Sequence, residues 1–122
     1  MKTFRFLEFD IYRNSKEFHN KILRIGRSLR DKREFYLADQ LLRCSLSVSL
    51  NIAEGSARQS DKDFGRFLRI SLGSLNEVVA CLDILSSQGF VLKSDFECLI
   101  DEAEVISKQI GSFLKRLVKA TS

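Results

Sequence analysis

Apolar side chains recur three and four residues apart over four long stretches, which predicts amphipathic helices at about 9–30, 35–57, 61–87 and 94–119. In the first stretch Ile11, Phe18, Ile22, Ile25 and Leu29 fall on one side, with Arg13, Lys16, Arg24 and Arg27 on the other. The polar link Asp31-Lys32-Arg33-Glu34 is short, so the next helix returns antiparallel. That second helix carries a core stripe of Leu37, Leu41, Cys44, Val48 and Ile52, and a second apolar face of Leu46, Leu50 and Ala53 roughly opposite. The third repeats Phe64, Leu68, Ser71, Leu75, Val78, Leu82 and Leu85 in strict 4,3 spacing, and the fourth follows with Phe96, Leu99, Ala103, Ile106, Ile110, Phe113 and Leu117. Two such seams indicate an all-α fold, an up-down antiparallel four-helix bundle.

The helix ends carry their own signals. Ser60 and Asp63 have capping-box spacing, with the Ser60 hydroxyl expected on the Asp63 amide and the Asp63 carboxylate answering; Ser94 and Glu97 repeat the pattern before the fourth helix. Gly89 is expected to close the third. Serines alternate with apolar residues from 45 to 49, a strand-like spacing, but the flanking pattern is helical and no other segment offers a strand to pair with.

The 122 residues contain no proline and ten phenylalanines, which fits one domain over 1–122 with long uninterrupted helices. A net charge of +4 conceals an asymmetry: residues 1–58 hold twelve basic and seven acidic side chains, while the remainder is balanced. The acidic start and basic end of the fourth helix follow its dipole, so its charges read as helix stabilisation. Three widely spaced cysteines, Cys44, Cys81 and Cys98, suggest reduced core thiols rather than a disulfide framework. Charges interrupt the apolar N-terminal residues and no run of about 18 apolar residues exists, so a soluble, cytoplasmic protein without membrane contact is expected.

Catalytic chemistry finds little support. His19 is the only histidine, which rules out paired Glu-x-x-His di-iron motifs, and it reads as a surface or boundary residue. The pattern contains neither a nucleophile triad nor a glycine-rich phosphate loop after a strand. An enzyme is not expected, and neither is a cofactor or metal. What stands out is a polar stripe on the second helix, from which Asn51 and Glu54 are expected to meet Ser74 and Glu77 of the third helix in a partly buried network that sets helix register. The same carboxylates read alternatively as the lining of a weak hard-cation site.

Gln40-Leu-Leu-Arg43, then Ser47-Val-Ser-Leu-Asn51-Ile-Ala-Glu54-Gly55, then Phe67-Leu-Arg-Ile-Ser-Leu-Gly73-Ser74-Leu-Asn-Glu77 closely resemble the signatures of a bacterial four-helix-bundle family. That family is similar to the product of the intervening sequence in some 23S ribosomal RNA genes, and the likeness covers about 10–117. The chain departs from it where Ser49 or Leu50 replaces a proline, relaxing an expected bend, and where Leu29-Arg30 and Arg33 stand near a usual Phe-Pro and Glu. The resemblance implies up-down bundles that associate into rings, often of five, no known catalytic activity, and a distant relation to accessory proteins of diversity-generating retroelements.

The resulting functional expectation is a self-associating, non-enzymatic bundle that contacts ribosomal or other structured RNA through a basic surface. Candidate phosphate contacts are Arg13, Lys16, Arg24, Arg27, Arg30, Lys32, Arg33, Arg43 and Arg58, with Arg66 and Arg69 at the margin. Leu46, Leu50 and Ala53 are the expected contact between copies, with the Phe-rich N-terminus of a neighbour as a further expected element of it, and a pentamer is the expected assembly. The alternative is a protein-interaction scaffold or accessory subunit that touches no nucleic acid.

Overall fold

In the computed structural model, residues 3–121 are described, and side chains from 3 to 119; residues 1, 2 and 122 of the expected domain lie outside them. A short 3-10 turn at Arg5–Glu8 precedes α1 (Asp10–Asp31), α2 (Phe35–Ser56), α3 (Asp61–Ser87) and α4 (Lys93–Thr121). Each helix turns its apolar stripe inward: Phe18, Ile22, Leu41, Val48, Ile52, Leu68, Leu82, Ile106 and Ile110 are all buried in one core. Neighbours run antiparallel. Ser15 meets Ser49 and His19 meets Ser45 between α1 and α2, Ser71 meets the Val48 carbonyl between α2 and α3, and Asn14 meets Gln109 while Lys21 meets Glu102 between α1 and α4. The fold is therefore the up-down antiparallel four-helix bundle that the periodicity predicts.

Two links share one closing geometry with different residues. After α3, Gly89 has φ +82° and the Phe90 amide donates to the Leu85 carbonyl at 2.9 Å. After α1, Arg33 takes φ +64° and the Glu34 amide donates to the Leu29 carbonyl at 2.8 Å. Both satisfy carbonyls left over at a helix C-terminus. The second does so with a side chain where the left-handed backbone favours glycine.

The capping expectations need correction. The Asp63 amide does donate to the Ser60 hydroxyl at 3.1 Å, but the Asp63 carboxylate accepts from Arg66 at 2.9 Å and faces Arg58 at 3.8 Å instead of answering the cap. Two guanidiniums hold that carboxylate more strongly than an exposed amide does. α4 starts one residue earlier than Ser94, and the Phe96 amide donates to the Leu92 carbonyl at 2.9 Å, so Ser94 lies inside the first turn.

The phenylalanine-rich start of the chain folds back onto the bundle, with Phe6 and Phe9 half-buried. Phe9 stacks 6.3 Å from Phe64 and lies 5.2 Å from Phe113, and Phe6 meets Tyr12 edge-on at 4.8 Å. Arg5 donates twice to the Ser56 carbonyl at the end of α2, at 3.1 and 3.0 Å, and its guanidinium lies over both Phe9 and Phe64. The segment thus seals one end of the bundle, leaving Phe4 and Leu7 outward. Among the described residues, no helix is long and apolar enough to cross a membrane.

Candidate functional site

The serines of α2 explain how closely its neighbours approach. Ser45 and Ser49 face α1, where they pair with His19 and Ser15 at 2.9 and 3.0 Å; on the opposite flank Ser47 pairs with Ser74 of α3 at 2.8 Å. Ser71 donates to the Val48 carbonyl at 2.8 Å. Small side chains that supply their own hydrogen bonds let helices pack tightly without orphaned polar groups. Gly55 takes this further, since a Cβ there would sit 2.8 Å from the Phe67 Cβ.

The expected four-residue network is only half present. Asn51 donates from Nδ2 to the Ser47 carbonyl and hydroxyl, both at 2.9 Å, and Ser47 passes the chain on to Ser74. Glu54 and Glu77 are both exposed and take no part in that chain; Glu54 accepts from Arg58 at 2.6 Å. The reason is local: an arginine four residues on offers Glu54 an ion pair in water, so desolvating the carboxylate against α3 has no compensation. Sequence reasoning overlooked the central member, Ser47, which was legible only as part of the wider polar stripe. Among the described residues, no group of three His, Cys, Asp or Glu side chains is arranged to hold a metal ion.

The single histidine and two of the three cysteines are poorly placed for reaction. His19 is half-buried, and burial lowers its pKa. Its partner Ser45 is fully buried. Burial pushes the Cys44 thiol up to about 12, and Cys81 is raised for the same reason. Cys98 departs from the core expectation and is exposed. A thiol held protonated is a poor nucleophile.

The nine basic candidates separate by what neutralises them. Arg13 pairs with Asp10 at 2.5 Å, Arg30 with Asp39, and Arg58 with Glu54 and Asp63. Lys16 lies over Tyr12 and Lys32 over Phe90, at 5.7 and 5.8 Å. Arg24, Arg27, Arg33 and Arg43 are exposed and make no ion pair among the described residues. Beside Arg43 on the outer face of α2, Leu46 and Leu50 are 44% and 55% exposed, with Ala53 half-buried.

Known proteins share this architecture. The structure is similar to that of a protein of unknown function from the S23 ribosomal protein family of Bacteroides thetaiotaomicron, with a TM-score of 0.81 and 28% identity over 86% of this chain and 98% of the other. No curated protein matches. A family model described as 23S rRNA-intervening sequence protein matches residues 7–112. With that match extending from the 3-10 turn into the last third of α4, the chain belongs to the 23S rRNA-intervening sequence protein family.

Proposed function

We propose that the protein is a non-enzymatic bundle that self-associates through the outer face of α2 and binds RNA through the arginines around that face. One observation carries the reading: exposed Leu46 and Leu50 adjoin Arg43, whose charge is not paired among the described residues. Exposed leucines in line on a helix favour burial against another surface, and unpaired guanidiniums favour phosphate. Arg24 and Arg27, one turn apart on α1, supply a second exposed basic pair, with Arg24 at the groove between α1 and α4. Copies arranged in a ring, five by the family resemblance, would repeat these cations and strengthen weak phosphate contacts by multivalency. The absence of an enzymatic role is supported by the buried Ser45 beside His19 and the protonated Cys44.

Filter binding of a structured RNA at 50 and 200 mM salt tests the RNA arm. Affinity is expected to fall steeply with salt and to weaken in Arg24→Glu/Arg27→Glu. Absence of binding at low salt would overturn it in favour of a protein-binding scaffold, which the same exposed leucines would serve.

A further inference from the structure

A second, smaller group of unpaired cations lies elsewhere, on α3 and α4. Residues 61–70 hold three basic and two acidic side chains and residues 105–122 four basic and none acidic; Arg66 pairs with Asp63 and Lys108 with Glu104. The antiparallel packing of α3 against α4 brings these two segments together: a Cβ on Gly65 would lie 3.5 Å from the Arg69 Nη1 and 3.6 Å from the Leu114 Cδ2. Between them runs a cleft of about 230 Å³ flanked by Lys62, Arg69, Leu114 and Val118, which continues past Lys115 and Lys119.

Helix stability accounts for only one side of this surface. The basic end of α4 suits its dipole, but Lys62 stands in the first turn of α3, where a positive charge opposes the dipole. Arg69 follows it two turns later, about 10 Å along the axis. Neither makes an ion pair among the described residues, nor does Lys115, so three cations and the one carboxylate of Asp61 border an apolar floor with net positive charge. That excess is neutralised by a polyanion, and the apolar floor suits the faces of unpaired bases better than the closed outer surface of a duplex.

The geometry points to the α3/α4 cleft as a binding site for single-stranded RNA, with phosphates on Lys62, Arg69 and Lys115 and bases over Leu114 and Val118. This assignment rests on the RNA reading above and places the contact on a different surface.

The test is fluorescence anisotropy of the full chain with fluorescein-labelled 20-mer oligouridine between 50 and 200 mM salt, comparing Lys62→Glu/Arg69→Glu/Lys115→Glu with Arg24→Glu/Arg27→Glu. Far-UV circular dichroism verifies folding, and the corresponding triple Gln variant replaces the Glu variant if the latter fails to fold. The cleft variant is expected to bind about tenfold more weakly or worse at 50 mM, with its salt slope shallower by about 2 for three lost cations. Such a loss supports the cleft whether or not the α1 variant also weakens. Wild-type binding by the cleft variant, with loss only in the α1 variant, overturns the cleft and leaves the proposed function intact. No binding by the wild type overturns both. Equal affinity and equal loss with a 20-base-pair RNA duplex overturns the single-strand assignment, and displacement of the RNA from the cleft by polyglutamate at matched charge assigns the surface to an acidic protein.

Discussion

Ser47 has one hydroxyl and two partners, Asn51 on its own helix and Ser74 on the next, so the strength of the α2/α3 contact depends on an amide that only half leaves water. Replacing Asn51 by Leu removes the donor to both the Ser47 carbonyl and hydroxyl. The expected cost is about 1 kcal/mol, read as a drop of a few degrees in Tm with helix content unchanged by circular dichroism. An unaltered Tm would mean that water substitutes fully for the amide. His19 gives a pH-dependent counterpart. Its folded pKa is lowered by burial, so the unfolded chain binds the proton more readily, and stability is complete above the unfolded value near 6.5 and declines as pH falls below it. The wild type should therefore lose more Tm than His19→Gln between pH 7.5 and 5.5. Parallel losses in the two proteins would show that other groups govern the decline.

At the scale of the helices, glycines and one arginine separate strain from tolerance. Gly73 lies in the interior of α3 with nothing within 4 Å of a Cβ, so Gly73→Ala should stabilise by about 0.5–1 kcal/mol through helix propensity alone. Gly55→Ala should cost about 1–3 kcal/mol, because its Cβ would press on the Cβ of Phe67 and on the buried Phe64 ring. Chemical denaturation of the two variants should move their midpoints in opposite directions, and the same direction for both would refute the packing argument. The helices themselves were legible because their 3,4 spacing is nearly unbroken and Gly89 marks a stop. The 3-10 turn was not, since it is held by Arg5 on the distant Ser56 carbonyl and by aromatic contacts with α3 and α4. Of the polar cluster, helix angle alone brings Asn51 and Ser74 to the same α2/α3 seam, where Ser47 links them, but it does not register the ion pair that Arg58 offers Glu54 outside. The sequence shows Arg33 only as a charge, because its left-handed backbone is set by the turn between two packed helices. Arg33→Gly should raise stability by up to about 1 kcal/mol, and a decrease would show that the side chain itself holds the link.

The whole molecule leaves one helix with two apolar faces to satisfy. α2 buries Leu41, Val48 and Ile52 in the core, and its serine-lined flanks are consumed by α1 and α3, so Leu46 and Leu50 have no neighbour left within the bundle to cover them. Other apolar side chains are exposed as well, Tyr36, Ile84 and Leu92 among them, but of the N-terminal phenylalanines, which by sequence also read as contacts to a neighbouring copy, Phe9 is folded onto Phe64 and Phe113 and Phe6 onto Tyr12 of their own chain, with Phe4 left outward. Self-association should therefore depend on α2 far more than on the N-terminal turn. Light scattering in dilute solution is expected to give a mass several times the 14.0 kDa of the chain. Leu50→Glu should bring it to the monomer value with the helical circular dichroism spectrum retained, because a charge at an exposed position leaves the core untouched but cannot be buried between copies without a partner. Phe4→Ala, at the outward tip of the N-terminal turn, should leave the mass unchanged. A wild-type mass equal to that of one chain would remove the assembly from the proposal, and dissociation by Phe4→Ala but not by Leu50→Glu would move the interface from α2 to the end of the bundle.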